Sequence, residues 1–333
     1  PSAVTWGGAL AVGGGASGSS FELVRSNELA WAVLDETGAI RTWGAASHGG
    51  TTTPSVPAGG RFTSISSTKE GAFAALDSSG FVHAWGDTTN GGIGGPTTGN
   101  FTNVYSTYDS FAAVHTTGTI FPWGGSVGTG GGPPSDDGYV KVFGTDKAFA
   151  ALKADGSISA WGPGDSGGTG APSTAGWVDI PATTLRAFVA IKADGSLDAW
   201  GHAASGGGSG TKGPPTGTGY SAVVSTLHAF AALGSDQKVK AWGSNSYGGN
   251  AFPTDCCYTN IYANEAAFVA LKTDGTLASW GGSAYSGIGA PTGGDFSIVY
   301  STLRAFVAVR MNGTLASWGD AAYGGTGAPT DGD

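Results

Sequence analysis

The chain of 333 residues combines 62 glycines and 11 tryptophans with 40% hydrophobic and only 12% charged residues, at a formal net charge of −9. Apolar and aromatic content on this scale excludes a disordered polymer and allows a sizeable core. The 15 Lys and Arg residues are scattered singly over an acidic chain, which excludes a phosphate-tracking surface, so no nucleic-acid partner is expected.

No apolar run is long enough to cross a bilayer, so no membrane span is expected. The sequence begins at Pro1 without a basic and apolar leader, so any leader is expected to have been removed. From there the pair Trp-Gly recurs, beginning at 6, 43, 85, 123, 161, 200, 242, 280 and 318, a period of about 39. Residues 1–20 read as an N-terminal partial repeat. Eight complete copies begin near Phe21, Phe62, Phe101, Tyr139, Trp177, Tyr220, Tyr258 and Phe296, and the whole of 1–333 reads as one repeat domain.

Each copy predicts three strands. In the fourth, Tyr139 to Phe143, Ala148 to Lys153 and Ser157 to Trp161 are β-prone. Asp155-Gly156 joins the last two and predicts a two-residue primed hairpin, repeated at Asp194-Gly195, Asp274-Gly275 and Asn312-Gly313; Asp236-Gln237 departs from it. The middle strand is apolar on both faces, so each sheet must be covered on both sides. An all-β fold follows: a β-propeller of about eight 39-residue repeats, with seven or eight blades, each a small antiparallel sheet. A β-solenoid has shorter rungs and lacks tight hairpins. Eight copies plus the Trp6-Gly7 segment do not obviously close a ring. That segment either completes the last blade, lies outside it, or supplies a strand to another chain, head to tail.

Gly164-Asp165-Ser166-Gly167-Gly168 has the form of a serine-nucleophile motif. Sibling loops put Asn90, Tyr247, Tyr285 and Tyr323 at the Ser166 position, so it reads as a turn position, and His48, His83, His115, His202 and His228 share no partner with it. No catalytic residue is assigned. The glycine runs lead to Ala-Pro instead of Lys and a helix, so no nucleotide cradle is offered and no cofactor is expected. Ser135-Asp136-Asp137-Gly138 reads as a solvated loop, and no metal site is assigned. Cys256 and Cys257 are neighbours and read as a pair of partly buried thiols. Asn100-Phe-Thr102 and Asn312-Gly-Thr314 are sequons, which makes Asn100 and Asn312 candidate glycosylation sites.

Strand-hairpin-strand units ending in Trp-Gly, followed by a Gly-rich loop and Pro, resemble the repeats of the regulator of chromosome condensation superfamily over residues from about 3 to 329. The stretch AFAALGSDQKVKAWGSNSYGGNAFP, residues 229–253, is most similar to the secreted β-lactamase-inhibitor type. The resemblance implies a seven-bladed relative and binding of another protein through loops at one face, without catalysis. The longer repeats and basic segments of the chromatin member are absent.

Between the first two strands, two residues vary while their flanks repeat. They are Glu28 and Leu29, Lys69 and Glu70, Tyr108 and Asp109, Asp146 and Lys147, Leu185 and Arg186, Leu227 and His228, Asn264 and Glu265, Leu303 and Arg304. Variable tips on a repeated scaffold are expected to form a contact rim. A non-enzymatic, secreted or extracellular propeller binding a protein or glycan is therefore expected. The alternative is a structural subunit that self-associates into an extracellular filament, sheath or larger complex.

Overall fold

The computed structural model describes residues 21–55, 60–125, 132–208, 210–285 and 288–329. The partial repeat assigned to residues 1–20 lies outside them. Eight three-stranded antiparallel sheets follow one another, each with its strands in chain order. The fold is all-β and of the propeller class, with blades spanning 21–44, 62–86, 101–124, 139–161, 177–201, 220–243, 258–281 and 296–319. Blades one to four and blades five to eight form two compact units.

The repeat motif explains the packing. In blade two Phe73 pairs across the sheet with Trp85 and stacks on it at 5.3 Å. Equivalent Phe–Trp pairs in blades three to eight stack at 5.1 to 5.4 Å. Each such pair adds roughly 0.5–1.5 kcal/mol beyond its burial. This aromatic face lies on the alanine face of the preceding blade: Phe62, Ile65, Phe73 and Trp85 cover Ala30, Ala32, Leu34 and Ile40. Blade seven covers blade six in the same way. Alanine on one side is what lets the large rings approach so closely. Three tryptophans also donate their indole N–H to the loop of the blade before, Trp123 to the Gly91 carbonyl, Trp242 to the Gly206 carbonyl and Trp280 to the Gly248 carbonyl.

Glycine after tryptophan has its own cause. Gly86 takes φ +104°, and a Cβ there would stand 2.4 Å from the Gly71 carbonyl oxygen. No side chain fits.

Two local expectations are corrected. The Asp-Gly hairpins are not two-residue primed turns. Gly156 N bonds the Lys153 carbonyl, only the glycine has positive φ (+82°), and the Asp155 carboxylate accepts from Ser157 N. That is a type I turn followed by one left-handed residue, and the aspartate stabilises it from its own side chain. At the departing site Gln237 itself takes the left-handed conformation, φ +60°. Cys256 and Cys257 are not two thiols but are bonded to each other. Cys257 takes φ +79°, a left-handed conformation shared by Gly138, Gly176 and Gly219 just before the first strands of their blades.

Candidate functional site

The hairpin tips between first and second strands are built from the backbone upward. A Thr or Asn closes each hairpin. Thr226 accepts from Ala229 N at 3.0 Å and donates to the Tyr247 carbonyl at 3.0 Å. Thr145 does the same with Ala148 N and the Ser166 carbonyl, and Thr302 with Ala305 N and the Tyr323 carbonyl. The clamp ties the tips of blades one, two and four to eight to the turn that follows Trp-Gly. In blade seven the clamp is Asn264, which accepts from Ala267 N and donates to the Tyr285 carbonyl at 2.7 Å. Asn264 is buried and belongs to the scaffold, so the tip pair of that blade is Glu265 and Ala266.

The tips are also joined to one another. In the second unit Leu185 N bonds the Leu227 carbonyl at 3.0 Å, Leu227 N the Glu265 carbonyl at 2.9 Å, and Glu265 N the Leu303 carbonyl at 3.2 Å. In the first unit Glu28 N bonds the Lys69 carbonyl, Glu70 N that of Tyr108, and Tyr108 N that of Asp146. Residues that looked like free loop tips are thus held in a ladder running from blade to blade within each unit.

In blades five to eight the side chains fall into three lanes. Leu185, Leu227, Glu265 and Leu303 form the first; Leu185 and Leu303 are each 37% exposed. Arg186, His228 and Arg304 form the second. The ends of the 3₁₀ turns, Ser205, Tyr247, Tyr285 and Tyr323, form the third. Each second-lane residue with described contacts sits between two third-lane neighbours. His228 lies 2.9 Å from the Ser205 hydroxyl through Nδ1 and edge-on to Tyr247 at 4.6 Å. The Arg304 guanidinium lies 5.0 Å from the Tyr285 ring centre and 4.9 Å from that of Tyr323, with Glu265 at 3.7 Å. The three tyrosines were visible in the sequence only as variants of the Ser166 slot; their recurrence in that slot was the signal.

The first unit carries a different set on the same ladder: Glu28, Leu29, Lys69, Glu70, Tyr108, Asp109, Asp146 and Lys147. Lys69 Nζ lies 5.5 Å from the Tyr108 ring centre. A hydrogen bond to Glu70, with the negative charges of Glu70, Glu28 and Asp109, raises the Tyr108 hydroxyl above its ordinary pKa. Asp109 is buried and accepts from the Ser110 hydroxyl at 2.8 Å.

Several residues weighed for chemistry have partners within the turns and hairpins. Ser166 is buried in its turn, where its carbonyl takes the Thr145 bond. Ser205, its equivalent in blade five, meets His228, a contact the sequence did not reveal, yet its side chain is also buried. Asp136 accepts from the Lys153 ammonium and the Tyr139 hydroxyl, which hold its carboxyl below the usual range. His83 contacts the buried Asp77 at 2.9 Å beside an open cleft. Burial raises the Asp77 carboxyl, but hydrogen bonds from His83 and from the Phe81 and Ser79 amides outweigh it and leave it lowered. Asp35 makes the same turn in blade one, with Arg41 in the place of His83. Asn100 and Asn312 are both exposed.

No family model matches the chain, and no curated protein matches it. Among solved structures it is similar to the ectodomain of the Physcomitrella patens receptor kinase CR4, at 14% identity over 79% of this chain and 74% of that one, TM-score 0.46. It is similar to Prp20p from Saccharomyces cerevisiae, at 18% identity over 93% and 75%, TM-score 0.41. Yeast RCC1 (Prp20) in its structure bound to Kap60 gives 15% identity over 80% and 70%, TM-score 0.40.

Proposed function

We propose that the chain is a non-enzymatic, secreted propeller that binds a protein partner through its hairpin tips. One observation carries this: side chains that differ from blade to blade stand on a backbone fixed by blade-to-blade hydrogen bonds. Such a row meets a partner with little ordering cost, which is how a rigid scaffold turns loop variation into recognition. Exposed leucine on the ladder supports a contact with protein. The Cys256–Cys257 bond supports an oxidising compartment. Panning of displayed protein fragments and of a glycan array on the full chain tests the proposal. Fragments should be retained and lost on Leu185→Asp with Leu303→Asp; retention of glycans alone, or of fragments indifferent to every tip, would overturn it.

A second function has its own observation. In blade one Phe21 is 54% and Trp43 38% exposed, whereas their counterparts Phe62 and Trp85 are 1% and 4% exposed beneath the preceding blade. This aromatic face would be covered by the face of blade eight that carries Ala305, Val307 and Val309 in a second copy, which would make the chain a head-to-tail structural subunit. Light scattering should then show mass rising with concentration and falling back on Trp43→Glu. A monomer at all concentrations rules it out.

A further inference from the structure

We infer that the tip face of blades five to eight takes an acidic segment of a protein partner, one that presents carboxylates together with aliphatic side chains. The inference rests on the protein-binding function proposed above and adds the chemistry of the partner. Three features select that chemistry.

The first is charge. The tip residues of this unit include two arginines, Arg186 and Arg304, and one carboxylate, Glu265, which meets Arg304, on a chain whose formal net charge is −9. An acidic segment is repelled by most of such a surface and steered to the basic spot. A nucleic-acid backbone needs a far longer basic track.

The second is the preparation of Arg304. A guanidinium stacked on rings keeps its N–H groups in its own plane, directed outward from the stack, in the fork that matches a carboxylate. Arg304 lies against Tyr285 and Tyr323 with its side chain 39% exposed. Those rings are already occupied by the guanidinium, which argues against a sugar laid on the tyrosine faces. Glu265 holds the arginine at 3.7 Å and competes with any incoming carboxylate. Glu265 is thus a brake on the site.

The third is the leucine lane. Backbone bonding sets Leu185 and Leu227 side by side, with Leu303 joined through Glu265. Neighbouring ladder positions lie about 5 Å apart, so the exposed aliphatic groups form a stripe beside the cations. A partner segment that covers both must carry both kinds of group.

The test uses the full chain and a random peptide library displayed on phage, followed by fluorescence anisotropy on the recovered peptides. Recovered sequences should be enriched in Asp and Glu together with Leu, Ile or Val. Arg186→Glu, at an exposed side chain, should weaken the recovered peptides about tenfold, roughly 1.4 kcal/mol. Arg304→Lys, which keeps charge but loses the planar fork, should weaken them severalfold. Glu265→Gln should tighten them severalfold, an effect that a purely apolar stripe would not produce. Added salt should weaken binding. Peptides without acid enrichment, or affinities unmoved by both Arg186→Glu and Glu265→Gln, would overturn the inference. If such peptides are still lost on Leu185→Asp, the protein-binding function stands while the acidic preference falls. If no recovered peptide depends on any tip, both fall.

Discussion

Blades one to four and blades five to eight build their tips on one backbone plan and dress them in opposite ways. In both, a Thr or Asn clamp fixes the hairpin and tip amides bond the next blade. The first row is then dominated by Glu28, Glu70 and Asp146 with two lysines, the second by three leucines and two arginines. Recognition is therefore separable from support: the clamp and the ladder consume backbone groups and buried oxygens, leaving the tip side chains free to differ without cost to the fold. The same contrast runs in depth, between a Phe–Trp layer that is repeated and buried in blades two to eight and a tip layer that varies along the row.

The comparison can be broken hardest at the tryptophans. Trp242→Ala in blade six, where the ring is 2% exposed and stacked on Phe230, should cost about 4 kcal/mol in urea unfolding. Trp43→Ala in blade one, 38% exposed, should cost less than half as much. Equal losses would mean that the two blades are covered alike. The clamp comes next. Thr145→Val and Thr226→Val, one in each unit, should each cost about 1–2 kcal/mol, since both strand the same buried amide and carbonyl. Unequal values would show that the shared plan is only superficial.

Smaller and opposite in sign, Gln237→Gly should raise stability by about 0.5–1 kcal/mol, because it relieves the one non-glycine at this turn position in the left-handed region among the described residues. The smallest effect is expected in acid. Asp136 in blade four and Asp255 in blade seven each bind a lysine and a tyrosine hydroxyl, and both carboxyls lie below the ordinary 3.8. A depressed carboxyl contributes stability above its unfolded value and loses it as pH falls through the folded one. Melting temperatures followed from pH 5 downward should therefore drop less steeply below about pH 4 for Asp255→Asn than for the unsubstituted chain. The contribution is modest because both aspartates are more than half exposed.

Much of the fold was legible in the chain because each repeat states it again. Trp-Gly at a period of about 39 marks the end of every blade's third strand, and Ala-Phe-x-Ala marks the second strand in six of the eight blades, with Phe73 and Trp85 in register as the alternation demands. The tip positions were legible as places of variation. Their order was not: nothing in Leu185, Leu227 and Leu303 as sequence shows that their amides and carbonyls bond across blades. Asn264 was misplaced by one position, because its role depends on where its amide points and not on its neighbours. Tyr285 and Tyr323 gained their meaning only when Arg304 was found across them.

By itself the sequence determined the all-β class, the blade length and the identity of the packing rings, since these depend on local periodicity and on bulk that must leave water. Only the tertiary structure decided how the tips are tied together, which side chains share a face within each unit, and that arginine meets tyrosine there. Those facts are set by distances between residues about forty positions apart, and a one-dimensional pattern carries no such distances.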